Sequence, residues 1–293
     1  MPEALKVYKN LYTEAKFNGE SLTTWEPRGV WQQTHLAMSK LGTTHLANVH
    51  ILANLEPFRY GSVRFIQNSV VAMRDRLGAG GLHLYPLAYW SWPEAPDKTD
   101  VPLNQLERDW IWFEAWARYA WNPDRDPTAD RAYWIERLAA HYGTSEAAAK
   151  ILEAYNDSGE CAPRLLRRYG ITEGNRQTLS LGMTLDQLVT PAKYRPYPEL
   201  WLSQAPLGER LQDFATKEWS GQPHEGETPL SINREVRDFA KKAVDAIEAA
   251  APHVTKNREE FARLRNDVYC IQALSENYAA KAEAARRGQT SVA

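Results

Sequence analysis

One short stretch, His50-Ile-Leu-Ala-Asn-Leu-Glu-Pro-Phe-Arg-Tyr60, gathers more chemistry than any other part of this chain. Asn54, Glu56, Arg59 and Tyr60 follow an apolar run, Leu46 to Leu52, that reads as a buried strand. A second apolar run, Gly81 to Trp90, carries Tyr85 and ends on Tyr89 and Trp90. A carboxylate, an amide, a guanidinium and aromatic rings at strand ends suit a sugar. Rings cover the apolar face of a pyranose, and polar tips meet its hydroxyls. Arg59 would suit a uronic acid, because its fork meets a carboxylate at two points. Tyr85, Tyr89, Trp90 and Trp92 would form the stacking wall.

The elements that must position these groups are legible around them. A helical pattern runs from Gly61 to Leu77, with Ser62 as its cap and Gly78 to Gly81 closing it. Strand, polar loop, helix and strand make a βαβ unit. Such units build parallel sheets, whose functional groups collect at the carboxyl ends of the strands. Upstream, Lys6 to Lys16 reads as helix, Phe17 to Trp25 as a strand ending at Glu26, and Val30 to Leu41 as helix. After Leu103 the patterns are almost wholly helical. Asn104 to Trp121 stops at Asn122-Pro123, Asp126-Pro127 opens the next helix, Gly143 ends it and Thr144-Ser145 starts another. Pro191 to Pro206 is a proline-rich linker. Two long patterns close the chain, one with Val236, Phe239, Ala243 and Ile247, the other with Phe261, Leu264, Val268, Ile271, Leu274 and Tyr278; their spacing predicts an antiparallel hairpin. The expected division is 1–100, β/α and barrel-like, and 101–293, all-helical.

Composition narrows the function classes. The 293 residues carry a formal charge of −2 with mixed signs, which gives no electrostatic footprint for nucleic acid. No apolar stretch is long enough to cross a membrane. The N-terminus lacks the basic-then-apolar layout of a signal peptide, so a cytoplasmic location is expected if Met1 is the native start. Cys161 and Cys270 do not make a disulfide framework and read as buried thiols. Histidines and cysteines are scattered, and no nucleotide loop or nucleophile elbow is present. Gly78-Ala-Gly-Gly81 follows a helix and precedes a strand, the reverse of a phosphate loop. No cofactor or metal is therefore expected; the expected partner is a carbohydrate. Oligomeric state is not legible.

About three strands in series are too few for a closed barrel, which needs eight βα units. One reading is a small open sheet packed on a helical domain. The other, favoured by a helical pattern starting almost at Met1, is the last βα units of a (β/α)8-type barrel followed by a helical extension. Taken together, Asn18 to Glu26, His50 to Arg59, Gly81-Leu-His-Leu-Tyr-Pro86 and Trp116-Ala-Arg-Tyr-Ala-Trp-Asn-Pro123 resemble the C-terminal half of a bacterial glycoside hydrolase of the α-glucuronidase-like group. The resemblance implies a (β/α)8 barrel with a helical C-terminal domain, and hydrolysis of a glycosidic bond in a poly- or oligosaccharide. It also implies rim carboxylates, at Glu56 and Glu26 here. One carboxyl group would protonate the leaving oxygen, and the other would attack the anomeric carbon or activate water. Five barrel strands would then lie outside this chain.

Each assignment has a structural counterpart. Glu56 is also a loop carboxylate within reach of Arg59, and Glu26 also a turn residue before Pro27. His50 and His83 either face the barrel interior or are satisfied core histidines, the second being the commoner case. Asn54 also suits a turn cap. Tyr85 and Tyr89, four apart, share one strand face, which fits a lumen and a packed core equally. The aromatic helix around Trp110, Trp112, Phe113, Trp116, Tyr119 and Trp121 reads as a buried seam, with Glu114 and Arg118 paired along it. The competing function is a non-catalytic carbohydrate-binding or assembly module.

Overall fold

The computed structural model describes residues 2–8, 10–17, 24–41, 44–49, 58–88, 91–169, 185, 189 and 207–292. After a short helix α1 (Pro2–Val7), three parallel strands form one sheet in the order β1 (Thr13–Lys16), β2 (His45–Val49) and β3 (Gly81–Leu84). Thr13 is level with His45 and Lys16 with Asn48; Leu46 is level with Gly81 and Val49 with Leu84. Helix α2 (Gly29–Ser39) connects β1 to β2, and α3 (Val63–Leu77) connects β2 to β3. The first strand thus lies inside the segment whose pattern reads as helix, Lys6 to Lys16. Four residues are too few for periodicity to separate the two states, and pairing with β2 decides. The strand expected from Phe17 onward is not seen: Phe17 is a turn residue, residues 18–23 lie outside the described set, and Thr24 to Arg28 form no strand.

Helix α3 forms as its sequence dictates. Val63, Ile66, Val70, Met73 and Leu77 recur at three- and four-residue spacing and are buried. Ser62 accepts from the Phe65 amide at 3.3 Å, and Gly78 ends the helix at a φ of +65°, which costs a glycine nothing. Each fully buried side chain of this size contributes roughly 1.5–3 kcal/mol. Together they close one side of the sheet over Phe17, Ala47 and Val49.

The rest of the described chain is mainly helical: α4 (Gln105–Arg108), α5 (Trp110–Trp121), α6 (Pro127–Tyr142), α7 (Ser145–Ser158), α8 (Cys161–Tyr169), α9 (Leu211–Ser220), α10 (Pro229–Ala250) and α11 (Arg258–Val292). Asp126 and Thr144 cap α6 and α7 through the Ala129 and Ala147 amides. The expected hairpin is α10 and α11, which pack on each other and on α7 through Val236, Ala240, Ala243 and Ile247 from one side and Leu264, Val268 and Ile271 from the other.

The aromatic helix α5 packs on α3 and β3. Ile111, Trp112, Ala115, Trp116 and Tyr119 form one buried face, whereas Trp110 and Phe113 are half-buried and Trp121 is 88% exposed. It is a seam on one side only. Glu114 and Arg118 do not pair with each other: Glu114 takes Arg137 at 2.7 Å, and Arg118 takes Asp130 at 2.8 Å and lies over the Tyr133 ring. Cys161 is buried, as expected, while Cys270 is only partly so.

Candidate functional site

Side chains alternate across a strand, so three paired strands present two rows. On one face the row is polar. The Asn48 amide donates to the Glu14 carboxylate, and the His83 imidazole Nδ1 lies 3.1 Å from the same carboxylate oxygen. The Tyr85 ring stacks on His83 with centroids 5.0 Å apart. Glu14, Asn48 and His83 come from three successive strands and meet at one point. The Glu14 and His83 side chains keep 39% and 48% of their exposure, so this point opens to solvent. The Asn48 amide, ahead of the opposing effect of burial and assisted by His83, holds the Glu14 carboxyl below the usual carboxylate range. Parallel sheets usually bury both faces behind apolar residues. A charged and hydrogen-bonding row on an open face therefore departs from what packing alone would select.

The opposite face carries a different imidazole pair. His35 of α2 contacts His45 of β2 (Nδ1 to Nε2, 2.7 Å), His45 Nδ1 contacts the Thr13 hydroxyl at 2.9 Å, and His35 Nε2 contacts the Lys16 carbonyl at 3.0 Å. The carbonyl only accepts, so His35 Nε2 carries a proton and its Nδ1 accepts from His45 Nε2. His45 Nδ1 then accepts from the Thr13 hydroxyl. All three side chains are buried. Burial lowers the His35 pKa to about 4 and lowers that of His45 as well, so both rings are neutral at pH 7. A second proton on His35 would oblige His45 to give up its Nε2 proton and donate through Nδ1 to the Thr13 hydroxyl.

The segment that follows the strand-end stretch is fixed from the helical side. Arg59 is buried, its side chain 1% exposed. Its guanidinium donates to Glu260 through Nε (2.8 Å) and Nη2 (3.1 Å), to Asp267 through Nη1 (2.7 Å) and to Asp97 through Nη2 (3.0 Å). Its backbone amide donates to Asp267 at 3.1 Å. Arg108 pairs with Asp97 and, at 2.8 Å, with Asp109. Despite its desolvation, the Arg59 guanidinium holds its proton more tightly than an ordinary arginine, because Glu260, Asp267 and Asp97 surround it. Asp109 goes the other way: burial, only partly offset by Arg108, raises its carboxyl to about 6. Tyr60 is buried too, its hydroxyl donating to the Gly159 carbonyl at 3.2 Å and its ring edge-on to Trp112. Gly61 passes so close to α5 and α7 that a Cβ there would lie 2.7 Å from Ile111 and Tyr155. Arg59 and Tyr60, expected to contact substrate, instead tie the chain ahead of α3 to the helical part. With four of its five N–H donors taken by three carboxylates and its side chain buried, this guanidinium is not presented to a sugar acid.

Glu26 is half-buried and forms an ion pair with Arg76 of α3. Tyr85 is half-buried on the open face, its amide donating to the Val49 carbonyl and its carbonyl accepting from Trp112 Nε1 at 3.4 Å. His83, whose commoner expectation is a satisfied core histidine, is instead exposed and carboxylate-paired. Glu56, Asn54, His50, Tyr89 and Trp90 lie outside the described residues. The structure therefore joins Tyr85 to Glu14, Asn48 and His83, none of which belongs to the sequence-derived site, His83 having there the commoner reading of a core histidine. Their signal is the register of three short strands, which is not visible while β1 reads as helix. No group of three or more histidine, cysteine, aspartate or glutamate side chains placed to hold a metal occurs among the described residues.

No family model and no curated protein matches the chain. It is similar to a solved structure, a GH138 enzyme targeting the pectin rhamnogalacturonan II, at 48% identity and a TM-score of 0.92. The match covers 97% of this chain and 33% of that one, so the chain spans about a third of the length of this relative.

Proposed function

We propose that this chain is part of a carbohydrate-active hydrolase that cleaves glycosidic bonds in a pectic, uronic-acid-containing polysaccharide. The observation that carries the reading is the 48% identity to the GH138 enzyme across 97% of the chain. The open face of the sheet supports the reading. A carboxylate held ionised, an amide, an imidazole and a stacked tyrosine match the donors, acceptors and ring faces of a pyranose. In this account the sheet is the last βα part of a (β/α)8-type barrel as in α-glucuronidase-like enzymes, residues 1–100, and residues 101–293 form its helical support. The polar row faces the lumen. Glu56 is the rim carboxylate, with Asn54, His50, Tyr85, Tyr89 and Trp90 around the sugar; Glu26, tied to Arg76 on the helix layer, is not carried into the site. Glu14, Asn48 and His83 line the floor and hold hydroxyls.

The test is turnover of rhamnogalacturonan oligosaccharides by the polypeptide that carries this chain. Glu56→Gln is expected to lower turnover roughly 10²- to 10⁴-fold with folding intact. Wild-type turnover in that variant removes Glu56 from the chemistry. Saccharide binding with no turnover by the wild type would instead favour the non-catalytic module.

A further inference from the structure

Away from the sheet, α4, α5, α6 and the turn before α11 enclose a groove of about 380 Å³ lined by Glu107, Trp110, Arg137, Ala140, His141 and Asn257. Its volume is that of a small-ligand site. The Trp110 and His141 rings lie 5.5 Å apart at a 33° tilt, and the Arg137 guanidinium stands 5.6 Å from the Trp110 ring centroid. Arg137 is not loose: Glu114 holds it through both carboxylate oxygens at 2.7 Å. Asn257 closes the groove in the left-handed region, at a φ of +46°, with its amide donating to the His141 carbonyl at 2.8 Å. Asparagine tolerates that conformation better than most residues, but it is uncommon away from glycine.

The charges decide what fits. Glu114 balances Arg137, which leaves the exposed Glu107 carboxylate as the uncompensated charge of the lining. Burial lowers the His141 pKa, so the ring is neutral at neutral pH. A uronate finds no unpaired cation in the lining, whereas a neutral pyranose offers hydroxyl donors to Glu107 and a C–H face to the rings.

We infer that this groove is a second saccharide site, distinct from the open sheet face, that takes a neutral sugar residue of the polymer. The choice of a saccharide rests on the proposed function; the preference for a neutral ring rests on the groove itself.

The test is calorimetric titration of methyl α-rhamnopyranoside and, separately, galacturonate into the polypeptide carrying this chain. Trp110→Ala should weaken rhamnoside binding roughly tenfold, the size of a lost ring contact. Trp110→Phe should largely restore it, and galacturonate binding should not respond to Trp110. Should Trp110→Ala fail to fold, Glu107→Ala, at an exposed carboxylate, is expected to weaken the rhamnoside similarly. Unchanged rhamnoside affinity in these variants, or no rhamnoside binding by the wild type, overturns the inference. Polysaccharide turnover measured alongside separates the two claims. Turnover without rhamnoside binding sinks the groove and spares the hydrolase. Trp110-dependent binding without turnover does the reverse.

Discussion

The two faces of one three-stranded sheet use the same residue types to opposite ends. On the closed face, His35 and His45 are buried, neutral and locked in single tautomers by a carbonyl at one end and a hydroxyl at the other. On the open face, His83 sits half-exposed against an ionised carboxylate and an aromatic ring. Both faces belong to the same three strands, and helix coverage differs between them. Where α2 and α3 remove water, an imidazole becomes a structural hydrogen-bonding part. Where no described helix covers the sheet, the same ring is free to meet a ligand.

Adjacent substitutions should break the comparison most visibly. Ala47 is fully buried, so Ala47→Gln should destabilise by about 3 kcal/mol or more through overpacking and an orphaned amide. Leu46→Gln, one residue away and half-buried on the other face, should cost about 1 kcal/mol. Urea unfolding of both variants gives the contrast, and equal costs would deny it.

Acid sharpens it next. His35 has a folded pKa near 4 against an ordinary 6.5, so its contribution is complete above pH 6.5 and is lost as pH falls through about 4. The loss should be on the order of 3 kcal/mol, and His35→Gln should flatten it. Asp109 tilts the other way. Its pKa is raised from 3.8 to about 6, so its neutral form favours the fold below 3.8, and that gain is lost as pH rises through about 6. In Asp109→Asn the acid-side fall attributed to His35 should therefore be steeper. Urea midpoints between pH 4 and 7 check both slopes.

The smallest effect concerns the open face alone. In Asn48→Ala the Glu14 carboxyl loses its main hydrogen bond, and its pKa should move up, as followed by carboxyl NMR titration. Global stability should change little compared with Ala47→Gln.

Much of the scaffold was legible in the sequence, and the reasons are local. Ser62, Gly78, Asp126, Gly143 and Thr144 mark helix ends through their own chemistry, and the spacing in α3, α10 and α11 repeats long enough to be decisive. The site was less legible. Thr13–Lys16 is too short for its pattern to outweigh neighbouring helix formers, and without that strand Glu14 cannot be set beside Asn48 and His83. Arg59 misleads for a different reason. Its partners Glu260 and Asp267 lie about two hundred residues away in sequence, and nothing near Arg59 announces them. The lesson is that a strand-end arginine reads as a ligand group until its distant carboxylates are known.

The most direct test of the open face as the sugar site is steady-state turnover of rhamnogalacturonan oligosaccharides by the polypeptide carrying this chain, compared with its Glu14→Gln variant. The account predicts a fall in kcat/KM of roughly 10- to 100-fold, the size of a lost charge-assisted hydrogen bond, with the urea midpoint unchanged. Unchanged kcat/KM in a folded variant would contradict it.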